Sequence, residues 1–166
     1  MEFTTFEEFD ESLRDEWNAL LPESVSNVPF LQFDYLKMWW EHLGGGEWQA
    51  TARLALITAR EQGRLVGIAP LFIAENEGQR CLMFLGSIEI SDFLDLIVRE
   101  KDEGPFIHGL LKYIQSVLAP KYSITRLDLY NLLEESPSVA LLQGAASEMG
   151  WAVEKERLQR SPFIQL

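Results

Sequence analysis

Cysteine, histidine and basic residues are the scarce elements of this sequence. It holds one cysteine, two histidines and 14 lysines and arginines against 26 acidic residues. A single thiol, Cys81, excludes an intramolecular disulfide and a multi-cysteine metal site. The histidines, His42 and His108, are far apart in sequence and belong to no His-Glu-x-x-His pattern. There is no EF-hand loop, no phosphate loop ending in Gly-Lys and no Gly-x-Ser-x-Gly elbow, so no metal site is expected. No apolar run approaches the roughly 20 residues of a membrane span. The opening Met1-Glu2-Phe3-Thr4-Thr5 lacks the basic start and apolar core of a signal peptide, and a cytoplasmic setting with no membrane partner is expected. The formal charge of −12 repels phosphate backbones and anionic lipid, which excludes nucleic acid as an expected partner. The same field favours a cationic or amine-bearing small molecule, although a plain solvated acidic surface is the commoner explanation of such a charge.

What the chain has in quantity is apolar and aromatic side chains, 47% and 11% of its 166 residues. That length suits one domain over 1–166, with a core that needs no staples. Between Arg53 and Val98 four strands are predicted in succession, over Arg53–Arg60, Leu65–Glu75, Gln79–Gly86 and Asp92–Val98. Glu61-Gln62-Gly63 and Asn76-Glu77-Gly78 read as tight hairpin turns. Pro70 cannot donate to a ladder and marks an edge or a bulge. Before the strands, Thr5-Phe6-Glu7-Glu8 resembles a capping box opening a helix whose face is Phe6, Phe9, Leu13, Trp17 and Leu20. A second helix is predicted from about Gln32 to Leu43 and stops at Gly44-Gly45-Gly46. After Val98 a loop, Arg99–Gly104, leads to a helix starting at Pro105 and ending at Pro120. Then come a strand at Ser123–Tyr130 and a helix capped by Ser136-Pro137 that runs to Met149. A strand at Trp151–Glu154 follows, and Phe163–Leu166 starts one more. The order implies an α+β domain with a mixed, mostly antiparallel sheet flanked by helices.

This order is similar to that of the GNAT acyltransferase superfamily. Several phrases resemble its FemAB-like, cellulose-biosynthesis (CelD-like) branch. They are Pro29-Phe30-Leu31-Gln32 with Tyr35-Leu36 and Trp39-Trp40, then Gly67-Ile68-Ala69-Pro70-Leu71, Leu85-Gly86-Ser87, Ser91-Asp92-Phe93-Leu94-Asp95, Gly150-Trp151 and Ser161-Pro162-Phe163. The resemblance implies a GNAT-like domain equivalent to the N-terminal lobe of a tandem protein. It also implies transfer of an acyl group from acetyl-CoA or another acyl-CoA to an amine, with the donor site generally on the second lobe. The partners expected are that second lobe or a second copy of the chain, together with an amine acceptor. A GNAT pyrophosphate site needs a glycine-containing Gln/Arg-x-x-Gly-x-Gly/Ala loop between strand and helix, where backbone N–H groups close on the phosphates. The matching place, Arg99-Glu100-Lys101-Asp102-Glu103-Gly104, has one glycine and three carboxylates, so the cofactor-binding residues of this chain stay unassigned.

Asp92 and Asp95 are the candidate catalytic residues, because a carboxylate could accept the proton of an amine nucleophile. In a regular strand they would point to opposite faces; alternatively Asp92 caps a turn after Ser91 while Asp95 pairs with a neighbour. Tyr35, Trp39, Trp40 and Ser91 are the candidate substrate contacts; helical spacing also suits the aromatic ones to core packing. A second class of function fits the same chain: a non-catalytic binding or assembly module, covering an apolar patch by homodimerisation.

Overall fold

The computed structural model describes residues 1–86 and 90–158. Its sheet is built from β1 (Glu2–Phe6), β2 (Arg53–Glu61), β3 (Arg64–Asn76), β4 (Gln79–Phe84), β5 (Ile97–Val98) and β6 (Arg126–Asp128). The helices are α1 (Arg14–Leu20), α2 (Phe33–Leu43), α3 (Glu100–Tyr113), α4 (Ala119–Tyr122) and α5 (Pro137–Glu148). The sheet order is β1-β2-β3-β4-β6, with β5 on β3; all pairs are antiparallel except β4–β6. This is the mostly antiparallel α+β architecture that the sequence implies. Among the described residues no helix is long and apolar enough to cross a membrane.

The two hairpins form where the glycines sit. Glu61 pairs with Arg64 and Asn76 with Gln79, leaving the two-residue loops Gln62-Gly63 and Glu77-Gly78. All four loop residues hold positive φ, between 51° and 79°, the conformation whose twist matches that of the strands. Aliphatic burial between the hairpins is nearly complete, and Cys81 lies fully inside with its titration pushed up by burial.

Several local expectations fail for tertiary reasons. The capping box does not form, because Glu2–Phe6 is an edge strand along β2 and the Thr5 hydroxyl meets that of Tyr113 at 3.1 Å. The first helical turn begins later, where the Asp10 carboxylate accepts from the Ser12 N–H. Glu7 leaves that helix and accepts from the Tyr122 hydroxyl and Lys121, contacts that hold its carboxyl low. The predicted loop Arg99–Gly104 is helix: α3 starts at Glu100, and Pro105 sits inside it at the cost of one backbone bond. Pro120 does not end the helix. Ile114–Leu118 widens into a π turn, which removes the carbonyl clash at Pro120, and the chain stays helical to Tyr122. Strand Ser123–Tyr130 shrinks to three residues, and Trp151–Glu154 joins no sheet. The strand expected at Phe163–Leu166 lies outside the described residues.

Pro70 is neither on an edge strand nor at the sheet's bulge, which falls at Ala59/Arg60. β3 is central, with β2 along one side, and its other side is shared. β4 pairs there with Leu71–Asn76 and β5 with Gly67–Ile68. The Pro70 carbonyl accepts from Leu85 N–H at 2.9 Å, so its missing donor also faces this side. That side is where the partner strand is broken. The described residues 85–86 and 90–96, between β4 and β5, are not strand, so only Ile97–Val98 of the predicted strand Asp92–Val98 is strand.

Helices cover both faces. Phe72 meets Trp39, Trp40 and Trp48 on one side. On the other, α3 lies so close that a Cβ at Gly67 would overlap the Phe106 ring. Gly67→Ala is therefore expected to lower unfolding free energy by about 1–3 kcal/mol in urea melts, the usual cost of overpacking a filled core. A neutral result would mean that α3 can move away from β3.

Candidate functional site

The break beside β3 gathers the polar residues of the interior. Beyond Asp128 the chain stops pairing with β4. Asn131 bonds instead to the excursion: its carbonyl accepts from Leu94 N–H at 2.9 Å, and its side-chain amide donates to the Ser91 carbonyl at 2.6 Å. Asn131 adopts φ +63°, which asparagine tolerates better than other non-glycine residues. From the α2 side the Tyr35 hydroxyl donates to the Ile90 carbonyl at 2.8 Å and lies 3.0 Å from the Ser91 hydroxyl. The wedge between β4 and the chain after β6 is thus occupied by 90–94.

Below it, Asp95 is 1% exposed and surrounded by donors. Ser26 and Ser136 hydroxyls each donate to its Oδ2 at 2.6 Å, and the Leu96 N–H donates to Oδ1 at 2.7 Å. Ser136 is also the N-cap of α5, accepting from Ser138 N–H. Glu103, equally buried, accepts from the Ser138 hydroxyl at 2.7 Å. Burial pushes the Glu103 carboxyl up, and the negative charges of Asp95 and Glu100 add to that push against the Ser138 bond. These two carboxylates tie β5, α3, α5 and the segment before α2 together at one point.

Of the candidate residues, the structure brings Tyr35 and Ser91 into contact, with Ser91 fully buried and Tyr35 half-buried above it. It places Trp39 and Trp40 on Phe72, within the aromatic layer. Asp92 is exposed on a bend, whereas Asp95 is interior, so the two carboxylates do not present a shared face. His42 turns back onto the Met38 carbonyl, and His108 lies exposed 3.8 Å from Glu148. A second polar group edges the aromatic layer. Asn76 accepts from Trp48 Nε1 and donates to Asp128 and Tyr130, and Asp128 pairs with Arg126. Trp48 stacks on Tyr130 at 6.3 Å, and burial beside Asp128 pushes the Tyr130 hydroxyl up. No spacing in the sequence relates Asn76 to Asp128 and Tyr130; only the parallel β4–β6 pairing does.

At the β5–α3 junction there is no loop for a phosphate. β5 passes through Arg99 directly into α3, whose first turn carries Glu100, Asp102 and Glu103. Those carboxylates already answer the positive end of the helix dipole. Arg99 bonds Glu23 at 2.5 Å, and Asp102 N–H is taken by the Arg99 carbonyl. A cavity of about 350 Å³ beside this turn mixes Arg64, Arg99 and Lys101 with Glu61 and Asp102.

No protein-family model matches the chain, and a search among curated proteins finds no sequence match. Solved structures do match its shape. TTHA1254, a protein from Thermus thermophilus, is 17% identical with a TM-score of 0.54, all of each chain being covered. An aminoglycoside 6'-N-acetyltransferase from Acinetobacter haemolyticus is 12% identical, TM-score 0.52, over 99% of this chain and 100% of that one. Glucosamine-6-phosphate N-acetyltransferase from Arabidopsis thaliana is 10% identical, TM-score 0.51, with the same coverage. The fold is the GNAT fold. At these identities the likeness extends to architecture, and the GNAT neighbours are matched essentially end to end.

Glu103 supplies a pH test of the buried cluster. A carboxyl whose folded pKa is raised takes up its proton more readily in the folded chain, so its burial costs stability as pH rises through that value. Glu103→Gln keeps an acceptor for Ser138 and removes the charge. The variant is expected to melt higher than the parent at pH 8, and the gap should narrow as pH falls toward 4 and Glu103 takes up its proton. An equal gap at both pH values would show that Glu103 carries no buried charge.

Proposed function

We propose that this GNAT-fold domain is an N-acyltransferase-related lobe that does not act alone. It supplies scaffold and acceptor contacts for transfer of an acyl group from acyl-CoA to an amine, and a partner lobe holds the donor. The observation that supports this most is the first turn of α3, where three carboxylates stand in place of a glycine loop. A pyrophosphate there would meet Glu100 and Asp102 at a helix end whose dipole is already matched. The residues present do not fit the cofactor, and no step through it is derived. The bonds of Asn131 to Ser91 and Leu94 support the same reading, since beyond the β4–β6 pairing the chain is met by its own backbone.

On the acceptor side, Tyr35 offers a half-buried hydroxyl on the helix that also carries Trp40, a combination suited to a small amine with some apolar surface. Ser91 and Trp39 are buried beneath them, and Ser91 orients the Tyr35 hydroxyl. Asp92, the exposed member of the acidic pair, is the carboxylate able to meet an ammonium or take its proton. Asp95 is assigned to holding the chain before β5 in place, because it is buried and accepts from Ser26, Ser136 and the Leu96 N–H. The second reading, an assembly module without catalytic contacts, is favoured by the outer face of α5, which carries no charge from Pro137 to Ser147.

Acetyl-CoA titrated to about 1 mM tests the reading by thermal melting. Binding with a Kd near 10 μM would add about 2.7 kcal/mol to stability, a rise of several degrees. No shift is expected from the domain alone. A saturable rise would make it a self-sufficient acetyltransferase, as its end-to-end match to neighbours named as such would then suggest.

A further inference from the structure

The cavity of about 350 Å³ beside the first turn of α3 has two charged walls. The β2–β3 hairpin supplies Glu61 and Arg64, and the β5–α3 junction supplies Arg99, Lys101 and Asp102. Val66, 7% exposed, is the apolar residue between them. Arg99 has its counter-charge already: its side chain is 13% exposed and bonds Glu23. Arg64 and Lys101 add their field to Glu23 but close on no carboxylate. Among the described residues neither they nor Glu61 and Asp102 make an ion pair. Glu61 and Arg64 stand opposite each other in the hairpin register without pairing. Lys101 and Asp102 are successive on α3, a spacing at which side chains do not face each other. Each wall therefore presents one cation and one carboxylate to the same space.

We propose that this cavity binds a free α-amino acid with a small apolar side chain. Its carboxylate lies between Arg64 and Lys101, its ammonium between Glu61 and Asp102, and its side chain against Val66. The lining selects this class by elimination. A plain anion would leave Glu61 and Asp102 facing it, and a plain amine would leave Arg64 and Lys101. Only a small molecule carrying both charges on neighbouring atoms answers all four. The same lining turns away a nucleotide diphosphate, which brings no cation for Glu61 and Asp102. The site is additional to the acceptor contacts proposed above, since Tyr35, Trp40 and Asp92 are not among its lining residues.

The cavity is open to water, and Glu61, Arg64 and Lys101 are exposed. Charge pairs in such a place are individually weak, so a dissociation constant of about 1–10 mM is expected for L-alanine.

Amide spectra of the ¹⁵N-labelled full chain, titrated with L-alanine to about 50 mM, test it. The amides of Glu61 to Arg64 and those of Lys101 and Asp102 are expected to move saturably and with one common dissociation constant. Propionate and ethylamine, which each keep one of the two charges, should bind about tenfold more weakly. Arg64→Gln, Lys101→Gln and Glu61→Gln should each weaken L-alanine by about two- to fivefold. All three side chains are exposed, so the variants are expected to melt within a few degrees of the parent. Absence of saturable movement in both walls would overturn the proposal. So would propionate or ethylamine matching L-alanine, or L-alanine affinity unchanged in the folded variants. None of these outcomes depends on acetyl-CoA, so this site and the acyl-transfer reading can fail separately.

Discussion

The buried Asp95 carboxylate is the constraint on which the polar interior depends. It is 1% exposed, and among the described residues two serine hydroxyls and one backbone N–H donate to it. Those donors come from three separate places in the chain, 26, 96 and 136. Satisfying one carboxylate therefore fixes where the segment before α2 lies, where the excursion re-enters β5 and where α5 begins. The adjacent Glu103–Ser138 bond repeats the link from α3 to α5. The closed wedge and the loop-free β5–α3 junction both border this cluster.

That arrangement gives the GNAT fold an unusual distribution of charge. The place where a strand meets a helix N-terminus usually suits an anion, because unpaired amides and the dipole act together. Here the chain supplies the anions itself, through Glu100, Asp102 and Glu103. What remains open to solvent is different in character: Asp92 on its bend, the half-buried Tyr35, and an uncharged helix face on α5.

Much of this was legible in the sequence where local rules decide the outcome. The hairpins at Gln62-Gly63 and Glu77-Gly78, helix α2 ending at Gly44, and the Ser136 cap of α5 all follow from residues within a few positions of one another. The misreadings share a cause. Thr5-x-x-Glu8 resembles a cap, but the open edge of β2 offered Glu2–Phe6 a ladder instead. Pro105 resembles a helix start, yet the bond between Glu103 and Ser138, 35 residues apart, ties the turn before it to α5. Pro70 suggests an edge, whereas the gap between β4 and β5 provides an internal position needing no donor. The Asn76–Asp128–Tyr130 group was invisible because its members meet only through a parallel strand pair.

The carboxylates in the first turn of α3 are expected to keep a nucleotide diphosphate away from it. The most direct measurement is of the backbone amide resonances of Glu100 to Gly104 in ¹⁵N-labelled protein during titration with coenzyme A. These signals are expected to stay in place at millimolar ligand. Saturable movement of those five amides, with the rest of the spectrum undisturbed, would contradict it.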